Sequence, residues 1–155
     1  MAGLEEICTF AIDLASEMRA LGATPLGQRF LLDIVGGEVS GDRLQGAVVS
    51  GGGDWMLLGP DGWGRLDVRF AFVTDDGASI TFTGNGLLHL NETVMTAIGN
   101  GAPTEFADQY YRVLARLEAG DERYVWVNQA VFVSEGRIAP RATGRGIEAR
   151  LLRVT

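Results

Sequence analysis

The feature that most restricts the fold is a succession of strand-length apolar segments with turn signals every 8 to 14 residues. No strand–helix–strand alternation interrupts it, which argues for antiparallel pairing. The clearest pair is "GRLDVRFAFVT" (64–74) and "ASITFTGNGLLHL" (78–90), joined by "DDG". In the first, Leu66, Val68, Phe70 and Phe72 fall on one face. Arg65, Asp67, Arg69, Ala71 and Val73 fall on the other, the period of two that a pleated strand imposes. Further strands are expected at 4–15, 29–39, 43–51 and 122–136, in a short "DWMLLG" ended by "PDG", and in the closing "GIEARLLRVT". "LGATPLGQ" reads as a loop.

Residues 91–120 are less one-sided. "NETVMTAIGN" suggests one or two helical turns, with Asn91 as N-cap and Gly99 as stop. "TEFADQYYRVLARLEAG" fits a helix through Phe106, Tyr110, Val113, Leu114 and Leu117. It also fits a strand through Tyr111, Val113, Ala115 and Leu117. The pattern favours the helix.

These segments predict an all-β fold with one or two short helices, an antiparallel β-barrel occupying residues 1–155 as a single domain. An open sandwich is the alternative. The chain is long enough to bury a core without cross-links, and a barrel of this size can enclose one small ligand. Glycines inside strands, at 46, 84 and 86, suit the sharp coiling that closure demands.

Composition removes several classes of function. The net charge is −7, so a phosphate backbone would be repelled and no nucleic-acid partner is expected. No basic cluster favours a membrane surface. All 13 cationic side chains are arginine, which rules out Schiff-base catalysis and a P-loop lysine. One cysteine, Cys8, and one histidine, His89, allow neither an intrachain disulfide nor a Cys/His zinc site. The N-terminal stretch lacks the basic start of a signal peptide, and no apolar run is long enough to span a bilayer, so the expected location is cytoplasmic. G-x-S-x-G and a strand-to-helix G-x-G-x-x-G are both missing. No cofactor and no metal are expected.

The candidate site residues lie where polar groups share a strand face. Gly51, Gly52 and Gly53 precede Asp54 and Trp55. Such freedom could aim the acid and the indole into a cavity mouth, or simply form a β-bulge. Asp67 and Arg69 share a face that is either solvated or turned inward, where the pair would hold a guanidinium ready for an anionic or carbonyl group. Tyr124, Trp126 and Asn128 share a face, and aromatics with a polar handle suit a pocket wall as well as a core. His89 falls with Thr81, Thr83 and Asn85.

The segments "GQRF", "GGEVSGDRLQGAVVSGGGDW", "DGWGRLDVRFAFVTDDGASI" and "YVWVNQAVFV" occur in that order. Together they resemble a bacterial and fungal family known as domain of unknown function 3237, over roughly residues 24–155. The resemblance implies a compact antiparallel β-barrel and no particular reaction. It also implies that 109–118 is a strand, against the helical pattern. "ETVMTAIGNGAP" matches none of the family's motifs.

The expected function is cofactor-independent acid–base chemistry, an isomerisation, cyclisation or dehydration, on a small oxygenated organic molecule in an internal pocket. Asp54 would be the acid or base, Arg69 the oxyanion clamp and Asp67 its orienter. Trp55, Tyr124, Trp126, Asn128 and His89 would contact substrate. A non-catalytic carrier is the alternative. So is a homo-oligomeric module joined through an apolar outer strand face.

Overall fold

A computed structural model describes residues 1–155. Nine strands form one antiparallel sheet: β1 Leu4–Leu14, β2 Arg19–Thr24, β3 Gly27–Ser40, β4 Gly46–Leu58, β5 Trp63–Thr74, β6 Ser79–His89, β7 Tyr111–Ala119, β8 Phe132–Ile138 and β9 Gly146–Val154. Neighbours along the sheet are β1-β9-β8-β7-β6-β5-β4-β3-β2, and β1 also pairs with β3. That last pairing, from Thr9↔Ser40 to Leu14↔Ile34, closes the sheet into an eight-stranded barrel. β3 is long enough to pair with β1 through its second half and with β2 through its first, Arg19↔Leu31 to Thr24↔Gly27. β2 therefore extends the line of β1 past a short break. The sandwich alternative is set aside.

Alternation dictates which side faces in. On β5 and β6 the paired residues Phe70↔Phe82 and Phe72↔Ile80 are buried, while Arg69 and Thr83 beside them are exposed. The apolar face thus fills the barrel and the charged face meets water. The lower half is packed solid by Val39, Val48, Phe72, Ile80, Leu117 and Leu151. Above it lies a layer of rings: Phe10 meets Phe70, Phe72 and Phe82 edge-on at 5.4, 5.5 and 5.8 Å. Phe70 and Phe82 stack at 4.7 Å.

The lower end is plugged by a 3₁₀ segment, Glu122–Gln129, and here the structure corrects the sequence. A strand over 122–136 is expected, but only Phe132–Ile138 is extended. Local side-chain bonds outcompete the ladder. The Asp121 carboxylate accepts from the Arg123 amide at 2.9 Å. Asn128 accepts from the Ala119 N–H at 2.9 Å and donates to its carbonyl at 2.8 Å, and Val127 is driven fully into the barrel end.

The upper end is partly covered by α1, Glu92–Asn100. Asn91 caps it by accepting from the Val94 N–H at 2.9 Å, as expected. The helix runs past Gly99 and stops at Gly101, whose φ of 62° places it in the left-handed region. Residues 111–119 are strand, as the family resemblance implies. "LGATPLGQ", expected as a loop, supplies the end of β2 and the start of β3. "RLQGAVVSG" and "DWMLLG" join into the single strand β4.

Candidate functional site

The joining of β4 explains its glycines. Val49 pairs with Ala71 and Gly53 with Arg69, so four steps on β4 oppose two on β5 and a bulge must absorb the excess. Gly51 takes φ 115° there. A Cβ on Gly52 would sit 2.5 Å from the Arg69 carbonyl oxygen and 2.6 Å from the Phe70 Cβ. The bulge preserves the alternation beyond it, so Asp54, Met56 and Leu58 all face the interior.

That interior is hollow above the ring layer. A cavity of about 370 Å³ opens toward α1 and the β8–β9 connection, within the size range of small-molecule sites, about 300–1,000 Å³. Of its 29 lining residues, 22 are hydrophobic, so any polar group among them stands out. Phe10, Phe30, Phe70 and Phe82 supply ring surface, and Met18, Met56 and Met95 supply adaptable thioethers.

Asp54 is the only carboxylate on this wall. It lies four residues below Leu58, the last residue of β4, a depth of about 13 Å along an extended strand. The β4–β5 ladder opens between Asp54↔Val68 and Leu57↔Arg65. In that gap the Asp67 N–H donates to Asp54 Oδ1 at 3.0 Å. Burial pushes the Asp54 carboxyl up to about 6, and the nearby Asp67 charge adds to the rise. The amide bond from Asp67 and the Arg29 guanidinium oppose it.

Two hydroxyls share the wall, those of Tyr111 on β7 and Ser134 on β8. Both residues are buried, and neither hydroxyl bonds to another protein group. Burial pushes the Tyr111 phenol up, and the Asp54 carboxylate pushes it further, so it stays protonated as a hydrogen-bond donor. Its ring lies over Gly136: a Cβ there would come within 2.7 Å of Tyr111 Cδ1. Glycine at 136 is what lets the ring lie flat against β8.

The remaining expected site residues lie elsewhere. Arg69 is exposed on the outer face of β5, because it alternates with the inward Phe70. Asp67 shares that outer face and reaches Asp54 through its main-chain amide. Trp55 is 46% exposed outside β4, since adjacent strand residues must point oppositely. Its carbonyl accepts from Arg29 at 2.8 Å. His89 stacks on Trp63 at 4.5 Å on the outer wall. Tyr124, Trp126 and Asn128 belong to the plug at the closed end. Tyr124 donates to Asp76 at 2.8 Å, and Trp126 lies under the Arg43 guanidinium at 3.7 Å.

Asn128 is therefore placed to hold the plug to the last residue of β7. Asn128→Ala leaves the Ala119 amide and carbonyl without these partners and is expected to cost about 1–3 kcal/mol in urea unfolding. Probe binding in the cavity should be unchanged. An altered cavity affinity at full stability would contradict this placement.

Comparison with known proteins places the barrel in context. The family described as "Protein of unknown function (DUF3237)" matches residues 2–154. A UPF0311 protein of Clostridium acetobutylicum is 34% identical over 111 residues, 70% of this chain and 68% of that protein. A crystal structure of a Clostridium acetobutylicum protein with unknown function superposes with a TM-score of 0.84 at 26% identity, covering 100% of this chain and 98% of the other. The crystal structure of an enzyme from Penicillium herquei superposes with a TM-score of 0.72 at 18% identity, covering 99% and 95%. At that identity the likeness extends to the fold alone.

Proposed function

As the chain belongs to the DUF3237 family, with the barrel as its scaffold, we propose that it is an enzyme of cofactor-independent acid–base chemistry. It would isomerise, cyclise or dehydrate a small, mostly apolar oxygenated molecule in the internal cavity. The observation that carries this reading is a single carboxylate deep in an apolar hollow, aimed by a backbone amide and shifted to about 6. A proton-transfer group works best when its pKa lies near the working pH, and burial is how a fold moves a carboxyl there.

In this reading the roles differ from those expected of the sequence. Asp54 takes or returns the proton. The Asp67 main chain, not its side chain, orients it. Tyr111 and Ser134, in place of Arg69, offer hydrogen bonds to the oxygen on which charge develops. A structural neighbour described as an enzyme supports the view that this architecture accommodates catalysis.

The test uses the isotope that proton transfer must leave behind. Purified protein is incubated with a metabolite extract in D₂O, and mass spectrometry follows species that gain deuterium or shift to an isomer. Conversion should appear with the wild type, change through an inflection near pH 6 (rising with pH if Asp54 takes the proton first, falling if it gives one) and disappear with Asp54→Asn. Equal conversion by both proteins would overturn the assignment.

The carrier reading is favoured by the largely hydrocarbon wall. It predicts a ligand bound saturably by wild type and Asp54→Asn alike and released unchanged, with no label.

A further inference from the structure

One cation lines the cavity: Arg145, in the β8–β9 connection at the rim. Its Nε donates to the Ser16 carbonyl at 2.9 Å, which fixes the plane of the guanidinium against the end of β1. The terminal nitrogens, Nη1 and Nη2, take part in no hydrogen bond or ion pair within the chain. Asp13, which pairs with Gly146 next to Arg145, is already engaged by Arg141. The Arg141 Nε bonds the Asp13 carboxylate and its Nη2 lies 3.8 Å from Glu38. Arg145 is thus a half-anchored guanidinium, with a free fork beside an apolar hollow.

A guanidinium fork is matched geometrically by a carboxylate or another oxyanion, which it can grip through two parallel bonds. The hollow beneath is matched by an apolar body. Resting on the cavity reading above, we infer that the ligand is an amphipathic anion. Its apolar body sits among the phenylalanine and methionine side chains, and its carboxylate or other oxyanion is held at the rim by Arg145. The end that reaches down to Asp54 is the end that reacts. The rim charge selects the class of molecule, and in a chain of net charge −7 it offsets a field that otherwise repels anions.

Two fluorescent probes with one apolar body separate charge from hydrophobicity: 1-anilinonaphthalene-8-sulfonate, which is anionic, and N-phenyl-1-naphthylamine, which lacks the sulfonate. Each is titrated against wild type, Arg145→Met, Arg145→Lys and Arg69→Met. The last removes the same charge from the outer wall. Arg145→Met should weaken the anionic probe about tenfold or more, the scale of a lost charge-assisted hydrogen bond. The neutral probe should stay within about twofold, as expected when apolar contact is untouched. Arg145→Lys should keep most of the anion preference, and Arg69→Met should match wild type.

The inference is overturned if Arg145→Met affects both probes equally or neither, if Arg69→Met reproduces its effect, or if wild type binds neither probe. Circular dichroism of each variant shows that the barrel is intact. The same titration on Asp54→Asn should retain the anion preference. Loss of that preference on Arg145→Met therefore reports the rim site, whether or not the deuterium label assigns catalysis to Asp54.

Discussion

Asp54→Asn is expected to lower turnover by about 100-fold or more, the usual contribution of a positioned acid–base group, and at the same time to make the protein more stable at neutral pH. The second effect follows from the carboxyl's raised pKa. It titrates near 3.8 when unfolded and near 6 in the barrel, so the folded state binds more protons than the unfolded state between those values. Stability then falls as pH rises through that window, and the ionised carboxylate destabilises the fold above it. At about 1.4 kcal/mol per unit, the deficit above pH 6 is about 2–3 kcal/mol.

Asparagine keeps an oxygen for the Asp67 amide and carries no charge. Its advantage should be near zero at pH 4 and about 2–3 kcal/mol at pH 8. For a chain of this size that corresponds to about 5–10 °C in Tm. Urea unfolding of both proteins at the two pH values checks this. An advantage that does not change with pH would mean that the Asp54 environment leaves its ionisation alone.

Phe10→Ala is expected to cost about 3–5 kcal/mol, the range for deleting a buried aromatic ring. Phe10 is 1% exposed and touches three rings at once, each edge-on pair contributing beyond its buried area. Its loss also removes part of the cavity floor, so a longer apolar probe should bind better to the variant while the protein unfolds at lower urea. Met18→Ala, on the rim and 40% exposed, should cost under about 1 kcal/mol, as exposed positions do. Similar costs for the two variants would contradict the placing of Phe10 in a packed ring layer and of Met18 at an open rim.

The barrel itself is legible in the chain because alternation on β5 and β6 and regular turn chemistry point the same way. The plug is not. Tyr124, Val125, Trp126 and Val127 alternate like a strand, and only the contacts of Asp121 and Asn128 with their surroundings decide otherwise. Most of the site escapes for a different reason. Polar faces draw attention, yet in a barrel filled with hydrocarbon they face water, as Asp67, Arg69 and His89 do. The informative signal is a polar residue that falls in the apolar register: Asp54 with Met56 and Leu58, Tyr111 with Val113 and Ala115, Ser134 between Phe132 and Ile138. Asp54 is found because glycines mark it. Tyr111 is visible as soon as its segment is read as a strand. Arg145 carries no pattern, since a loop residue is placed by the closure of the barrel around it.

The layer of phenylalanine rings has an evolutionary corollary. It lets the foundation of the molecule and its receptacle diverge at different rates. Side chains above the rings can be exchanged to admit a new guest while those below go on specifying the same architecture, so homologues of this chain should differ most in the upper tier and least beneath it.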